Sequence, residues 1–189
     1  MVSLIEKPNQ GHGILTFPDR TMSELAALGF TERIKLTGKS IRELRQMGHP
    51  FYTTQNEKCD KYEEEPSRQC EVVFMPTLFL PDSNNKTLEE QLAMVAQLSE
   101  NVAHQIPGVE AVIGSTSDYV ELILNYQQQT GKSLFGENNS KLARTSSRLG
   151  VFAGDIGYFQ PETGIRVHWL PANSRYSNVW TFPFVAPTR

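Results

Sequence analysis

The clearest regularity along the chain is an apolar stripe at helical spacing, Leu88, Leu92, Val95, Val102 and Ile106, which opens at Thr87-Leu-Glu-Glu90 and stops at Pro107-Gly108. Side chains three and four apart share one face of an α-helix, and a threonine followed three residues later by glutamate forms a capping box. The pattern therefore predicts an amphipathic helix. Val109, Ala111 and Ile113 then alternate with other residues, the two-residue period of a strand with one buried face. Ser117 to Gln129 returns to the helical period and ends at Gly131, with Tyr119, Val120, Leu122, Ile123, Leu124 and Tyr126 covering most of its circumference. An apolar face that wide is either sandwiched between layers or shared with another subunit.

Upstream, residues 12–51 read as two successive β-then-α units. His12 to Phe17 predicts a strand, followed by a capping box at Thr21 and Glu24 and a closing Gly29. Arg33 to Leu36 predicts a second strand, followed by a capping box at Ser40 and Glu43 and then Gly48. The recurrence of Glu24, Leu25 and Gly29 as Glu43, Leu44 and Gly48 fits either a short duplication or two convergent strand-to-helix turns. Pro50 to Cys70, with the charged run Lys58 to Pro66, predicts an exposed connector. Glu71 to Leu80 is a nearly continuous apolar strand whose Pro76 suggests a bulge or an edge.

Lys132 to Gly150 reads as a solvated loop carrying Lys132, Lys141, Arg144 and Arg148 against Glu137. Three strands follow: Val151 to Phe159, then Ile165, Val167 and Trp169 opposite Arg166 and His168, then Val179 to Ala186, with a turn at Pro161 to Gly164. Pro183 makes the last strand an edge. Together these elements predict an α+β fold, a mixed or antiparallel sheet packed by two or more helices. Its expected organisation is an N-terminal β-α-β-α module over 1–52, an exposed charged connector over 53–70, and an α+β core with C-terminal strands and an arm over 71–189.

Charge and composition narrow the function classes. The net charge is −3, and the first hundred residues hold 15 Asp and Glu against 11 Lys and Arg, so a partner bound mainly through phosphates is not expected. The opening Met1-Val-Ser-Leu-Ile-Glu-Lys-Pro lacks the basic and long apolar regions of a signal peptide, and no window approaches a membrane span, which predicts an unsecreted, cytoplasmic chain. Cys59 and Cys70, with ten residues between them in a polar loop, suit a reducing compartment and are expected outside the core.

Candidate chemistry is sparse. Thr37-Gly-Lys-Ser40 and Thr130-Gly-Lys-Ser133 echo the end of a phosphate-binding loop, but the position of its first glycine holds Arg33 and Tyr126 respectively; they read as a capped helix start and a helix C-terminus. His49, Cys59, Cys70 and His104 are zinc-ligand types without paired spacing, and no metal or cofactor is expected. His168 and Asp155, on neighbouring strands, could form an acid–base pair; Gly11-His-Gly13 and the Asp118/Glu121 pair are weaker, the latter reading as a solvated helix start. A helix-turn-helix over Ser23 to Gly48 is disfavoured because Arg33 to Gly38 is too long and strand-like for its turn.

The final forty residues hold 8 of the 18 aromatic side chains and five charged groups, which points to association. Tyr119, Ile123, Tyr126, Trp180, Phe182 and Phe184 are the expected partner interface. Ser40-Ile-Arg-Glu-Leu-Arg-Gln-Met-Gly-His-Pro-Phe51 resembles the "LR-x-MGHP-[FY]" phrases of small virion proteins of tailed bacteriophages, and Thr181-Phe-Pro-Phe-Val-Ala-Pro187 is similar to the "RPF-x-x-P" ending of neck and tail-completion proteins, without its arginine. The resemblance covers about twenty residues. It implies a structural α+β subunit of the neck, tail or baseplate, assembling in the host cytoplasm with itself or other virion proteins, with no catalytic residues to carry over. The alternatives are a small cytoplasmic enzyme, such as a hydrolase using His168 and Asp155, and a DNA-associated protein contacting phosphate through residues 132–148.

Overall fold

A computed structural model describes residues 13–49, 51–53, 60–136, 140–160 and 164–188. His12, Cys59 and the turn residues Pro161 to Thr163 lie outside them. Helix α1 (Asp19–Ala27) starts before the expected capping box: Pro18 stands at the N-cap with φ −59°, Asp19 supplies a first-turn carboxylate, and no side chain caps the helix. Glu24, assigned to that box, is instead paired with Arg20, Nε to Oε1 2.8 Å. After β1 (Glu32–Lys35), the second box forms as expected at Ser40 and Glu43 and opens α2 (Ile41–Gln46). Gly29 and Gly48, at φ +92° and +90°, follow the two helices in the left-handed region that glycine enters without a Cβ penalty.

The segment expected to be an exposed connector carries structure. The strand β2 (Phe51–Thr53) enters it, the short helix α3 (Asp60–Glu63) lies within it, and Ser67 and Cys70 are buried. Strand β3 (Glu71–Phe74) is buried throughout and ends before Pro76, so the proline terminates it without forming a bulge. Helix α4 (Leu88–Gln105), capped by Thr87 and Glu90, and β4 (Val109–Ile113), with alternating burial, follow the sequence pattern. Helix α5 (Thr116–Thr130) is capped by Ser115 and Asp118 and closed by Gly131 at φ +71°. Both echoes of a phosphate loop thus sit at helix termini.

Strand β5 (Leu142–Leu149) occupies what reads as a solvated loop, and is followed by β6 (Phe152–Gln160), β7 (Gly164–Pro171), β8 (Val179–Trp180) and β9 (Pro183–Pro187). Leu142 to Leu149 has no apolar alternation, so its strand state comes from pairing with β6. The strands form two sheets. One has the order β1-β3-β9-β4 and is antiparallel; the other, β2-β7-β6-β5-β8, is mixed because β2–β7 and β5–β8 run parallel.

The expected single C-terminal edge strand is therefore two strands in different sheets. Only β8 is an edge; β9 is interior. Thr188 N donates to Gly108 O, 2.9 Å, which turns the even-numbered residues of β9 toward β4 and Pro183, Val185 and Pro187 toward β3. The two prolines have no N–H to give β3, and the β3–β9 register is reduced to the single partner pair Val73–Val185. Five partner pairs with β4 hold the other side. On β4's outer edge, Ala111 N donates to the Ser99 hydroxyl, 3.0 Å, so α4 occupies part of the edge it packs against.

Helix α5 touches β1 of one sheet and β5 and β6 of the other, with every residue from Thr116 to Leu124 buried. Its wide apolar face is sandwiched between layers. Because β1 pairs with β3 and β2 with β7, residues of the N-terminal module share both sheets with the expected core segment, and one apolar cluster runs from Phe17 to Ala186. Among the described residues no helix is long and apolar enough to cross a membrane.

Candidate functional site

Three titratable side chains stand in a row across the mixed sheet. Arg144 of β5 is the direct partner of Asp155 of β6, and Asp155 is the direct partner of His168 of β7, so the three project from one face. The pairing of Asp155 with His168 is the cross-strand relation the sequence suggests. Its chemistry differs, because Arg144 Nε lies 2.8 Å from Asp155 Oδ1 and neither side chain has any exposure. Burial drives the Asp155 carboxyl up to about 7 against the opposing pull of Arg144. His168, half-buried, is held below its ordinary value, first by burial and second by the charge of Arg166. Asp155 is closed off from solvent and engaged by a cation, so the row as built orders three strands and presents only its His168 end.

A second polar cluster gathers around the first turns of α5. Asp118 and Glu121, read from sequence as a solvated pair, are both buried. Asp118 accepts from Arg68 N at 2.6 Å and Ser115 N at 2.8 Å, while Glu121 accepts from the amide and hydroxyl of Thr37 and from the Ser67 hydroxyl. Gly38 N donates to the same Ser67 oxygen, 3.1 Å. On the neighbouring sheet Glu71 accepts from Phe17 N and from Arg33 Nη2. Each carboxylate thus ties a stretch of residues 17–68 to a later element and is hydrogen-bonded through both of its oxygens. No spacing in the sequence marks Thr37, Ser67 or Arg68 as partners of α5.

The expected interface residues divide sharply. Tyr119, Ile123, Phe182 and Phe184 are buried in this chain's own core, which corrects their assignment to a partner surface; Tyr126 and Trp180 alone are partly exposed. The Tyr119 ring stacks on Phe182, centroids 5.4 Å apart, and meets Phe184 edge-on at 5.8 Å. Its hydroxyl donates to Phe182 O and accepts from Gly114 N. The aromatic richness of the C-terminal segment is absorbed where β9 passes between β3 and β4. Trp180, at the sheet edge, is covered by Lys141, Nζ 4.3 Å from the ring centroid.

That cation and Arg144 remove two of the four basic groups from the supposed phosphate-contacting loop. Cys70 is 5% exposed, a core residue and not a loop thiol as expected, and among the described residues no cluster of His, Cys, Asp and Glu is placed to hold a metal. His104 is exposed in the last turn of α4. Among the described residues the exposed large apolar side chains are Leu15, Met47, Val151 and Phe152, and the last two stand adjacent at the tip of the β5–β6 hairpin. Comparison of the chain with family models, curated proteins and solved structures finds no match.

Proposed function

We propose that this chain is a structural subunit that works by association. The observation that carries the reading is the contrast between its polar and apolar groups: Asp118, Glu121 and Glu71 are spent on internal hydrogen bonds and Asp155 on its ion pair with Arg144, while Val151, 71% exposed, and Phe152 stay in solvent. The finer setting, a neck, tail or baseplate subunit of a tailed-phage virion, rests on the resemblance of Ser40–Phe51 and Thr181–Pro187. The experiment is the mass of the native protein by light scattering. A multiple of the 21.3 kDa chain supports the reading, and a monomer at every concentration, with no complex formed on adding candidate virion proteins, overturns it.

One observation favours a second reading, a hydrolase, since Asp155 and His168 are direct cross-strand partners. Replacing His168 by alanine separates the two. Loss of a measurable turnover by about a hundredfold in a normally folded variant, the scale of a lost general base, would establish the enzyme.

A further inference from the structure

The tip of the β5–β6 hairpin is built as a rigid apolar knob. Leu149 and Phe152 are opposed, and Gly150 at φ +60° takes the first turn position while Val151 keeps an ordinary negative φ, the geometry of a type II′ turn. Such a turn requires glycine at its first central position and makes no demand for an apolar side chain at its second, the most exposed point of a hairpin. A valine there, followed by a 40% exposed phenylalanine, is unexplained by the fold. The tip is also fixed in place. Ala172 N donates to Val151 O, and Leu88 N donates to Ala172 O, both 2.9 Å, so hairpin, β7 end and α4 start form one frame.

Beside the knob lies a cavity of about 280 Å³ whose lining includes Thr87, Ala172 and Asn173, with Val151 itself on one side. Two opposite charges, Glu89 from the first turn of α4 and Arg148 from β5, line the same cavity. Both are exposed, and among the described residues neither is ion-paired.

We infer that this surface joins two copies of this chain about a twofold axis, with Val151 and Phe152 of each copy seated at the cavity of the other. A twofold contact sets one patch against itself and therefore needs projection and recess, cation and anion, within that single patch. This patch holds all four. An unrelated partner would require only one of each pair. The inference rests on the association reading above and names the partner for it.

Sedimentation velocity of the full chain across a concentration series tests it, with circular dichroism confirming the fold of each variant. Wild type is expected to form a dimer, and Val151→Asp to weaken it by about tenfold or more, the effect of losing a central anchor. Arg148→Glu and Glu89→Arg should each weaken it as well, and the two together should restore it, because the exchanged charges meet again across the axis. If Val151→Asp misfolds, the charge exchange alone decides. A monomeric wild type overturns the inference. Association that none of these variants alters overturns this surface while leaving the association reading standing.

Discussion

Thr37 and Glu121, 84 positions apart, meet at the start of α5: the Thr37 amide donates to the carboxylate at 3.0 Å and the hydroxyl donates to it as well. Ser67 completes the arrangement from a third segment. A buried carboxylate is tolerated because three donors replace the water it has lost, and those donors in turn depend on it.

Replacing Glu121 by alanine removes the shared acceptor of the buried Ser67 hydroxyl and of the half-buried Thr37 amide and hydroxyl. A buried unsatisfied donor costs about 1–3 kcal/mol and a half-buried one less, so the variant is expected to lose about 1–3 kcal/mol in urea denaturation. Glu24→Ala, which removes an exposed pair with Arg20, should stay within about 0.5 kcal/mol. Equal effects from the two would show that the Glu121 contacts do not anchor residues 37–67.

The Arg144–Asp155 pair should respond differently to single and double replacement. At a pH of about 8, where the carboxyl is ionised, Asp155→Ala leaves a buried guanidinium without its counter-charge and is expected to cost about 3–5 kcal/mol. Replacing Arg144 by methionine and Asp155 by leucine together should recover most of that loss, because no charge remains to desolvate. A double variant as unstable as the single would mean that the pair stabilises the sheet by more than its desolvation costs.

The same carboxyl predicts a pH dependence. Between its ordinary value of 3.8 and about 7, the folded chain keeps a proton on Asp155 that the unfolded chain has lost, so stability falls as pH rises through this window. His168 has the opposite sign: its folded value lies below 6.5, so the unfolded chain gains the proton first as pH falls, and this contribution is lost on acidification. Denaturation midpoints measured between about pH 4 and 8 should show the first slope shrink in Asp155→Asn and the second vanish in His168→Gln. An unchanged profile in Asp155→Asn would remove the carboxyl as its source.

For the C-terminal segment the expected outcome is unfolding. Phe184→Ala empties a fully buried site against Tyr119 and should cost about 3–5 kcal/mol, whereas Trp180→Ala, at a partly exposed edge, should cost less. Gly114→Ala places a Cβ 2.5 Å from the Phe184 ring and should destabilise by about 1–3 kcal/mol. Deleting residues 178–189 removes an interior strand, so circular dichroism of that variant should show global loss of structure. A folded, merely dissociated product would return the segment to the role of an arm.

Local rules determined much of this molecule. The boxes at Ser40/Glu43 and Thr87/Glu90, the glycines after α1, α2 and α5, the stripe of α4 and the alternation of β4 are all set by residues within a turn or two of one another, and all are legible in the sequence. What lay beyond it was decided by partners distant in the chain. The eight residues of β5 carry no strand period and become a strand because β6 and β8 flank them; Arg144 is buried because that pairing sets it opposite Asp155. Pro183 marks an edge by local rule, yet β9 is interior because β4 supplies hydrogen bonds that do not use the proline nitrogens. Aromatic residues in the last forty positions announce burial without saying against what, since the hydrophobic effect has no direction. Only the passage of the chain from one sheet to the other placed Phe182 and Phe184 in the core.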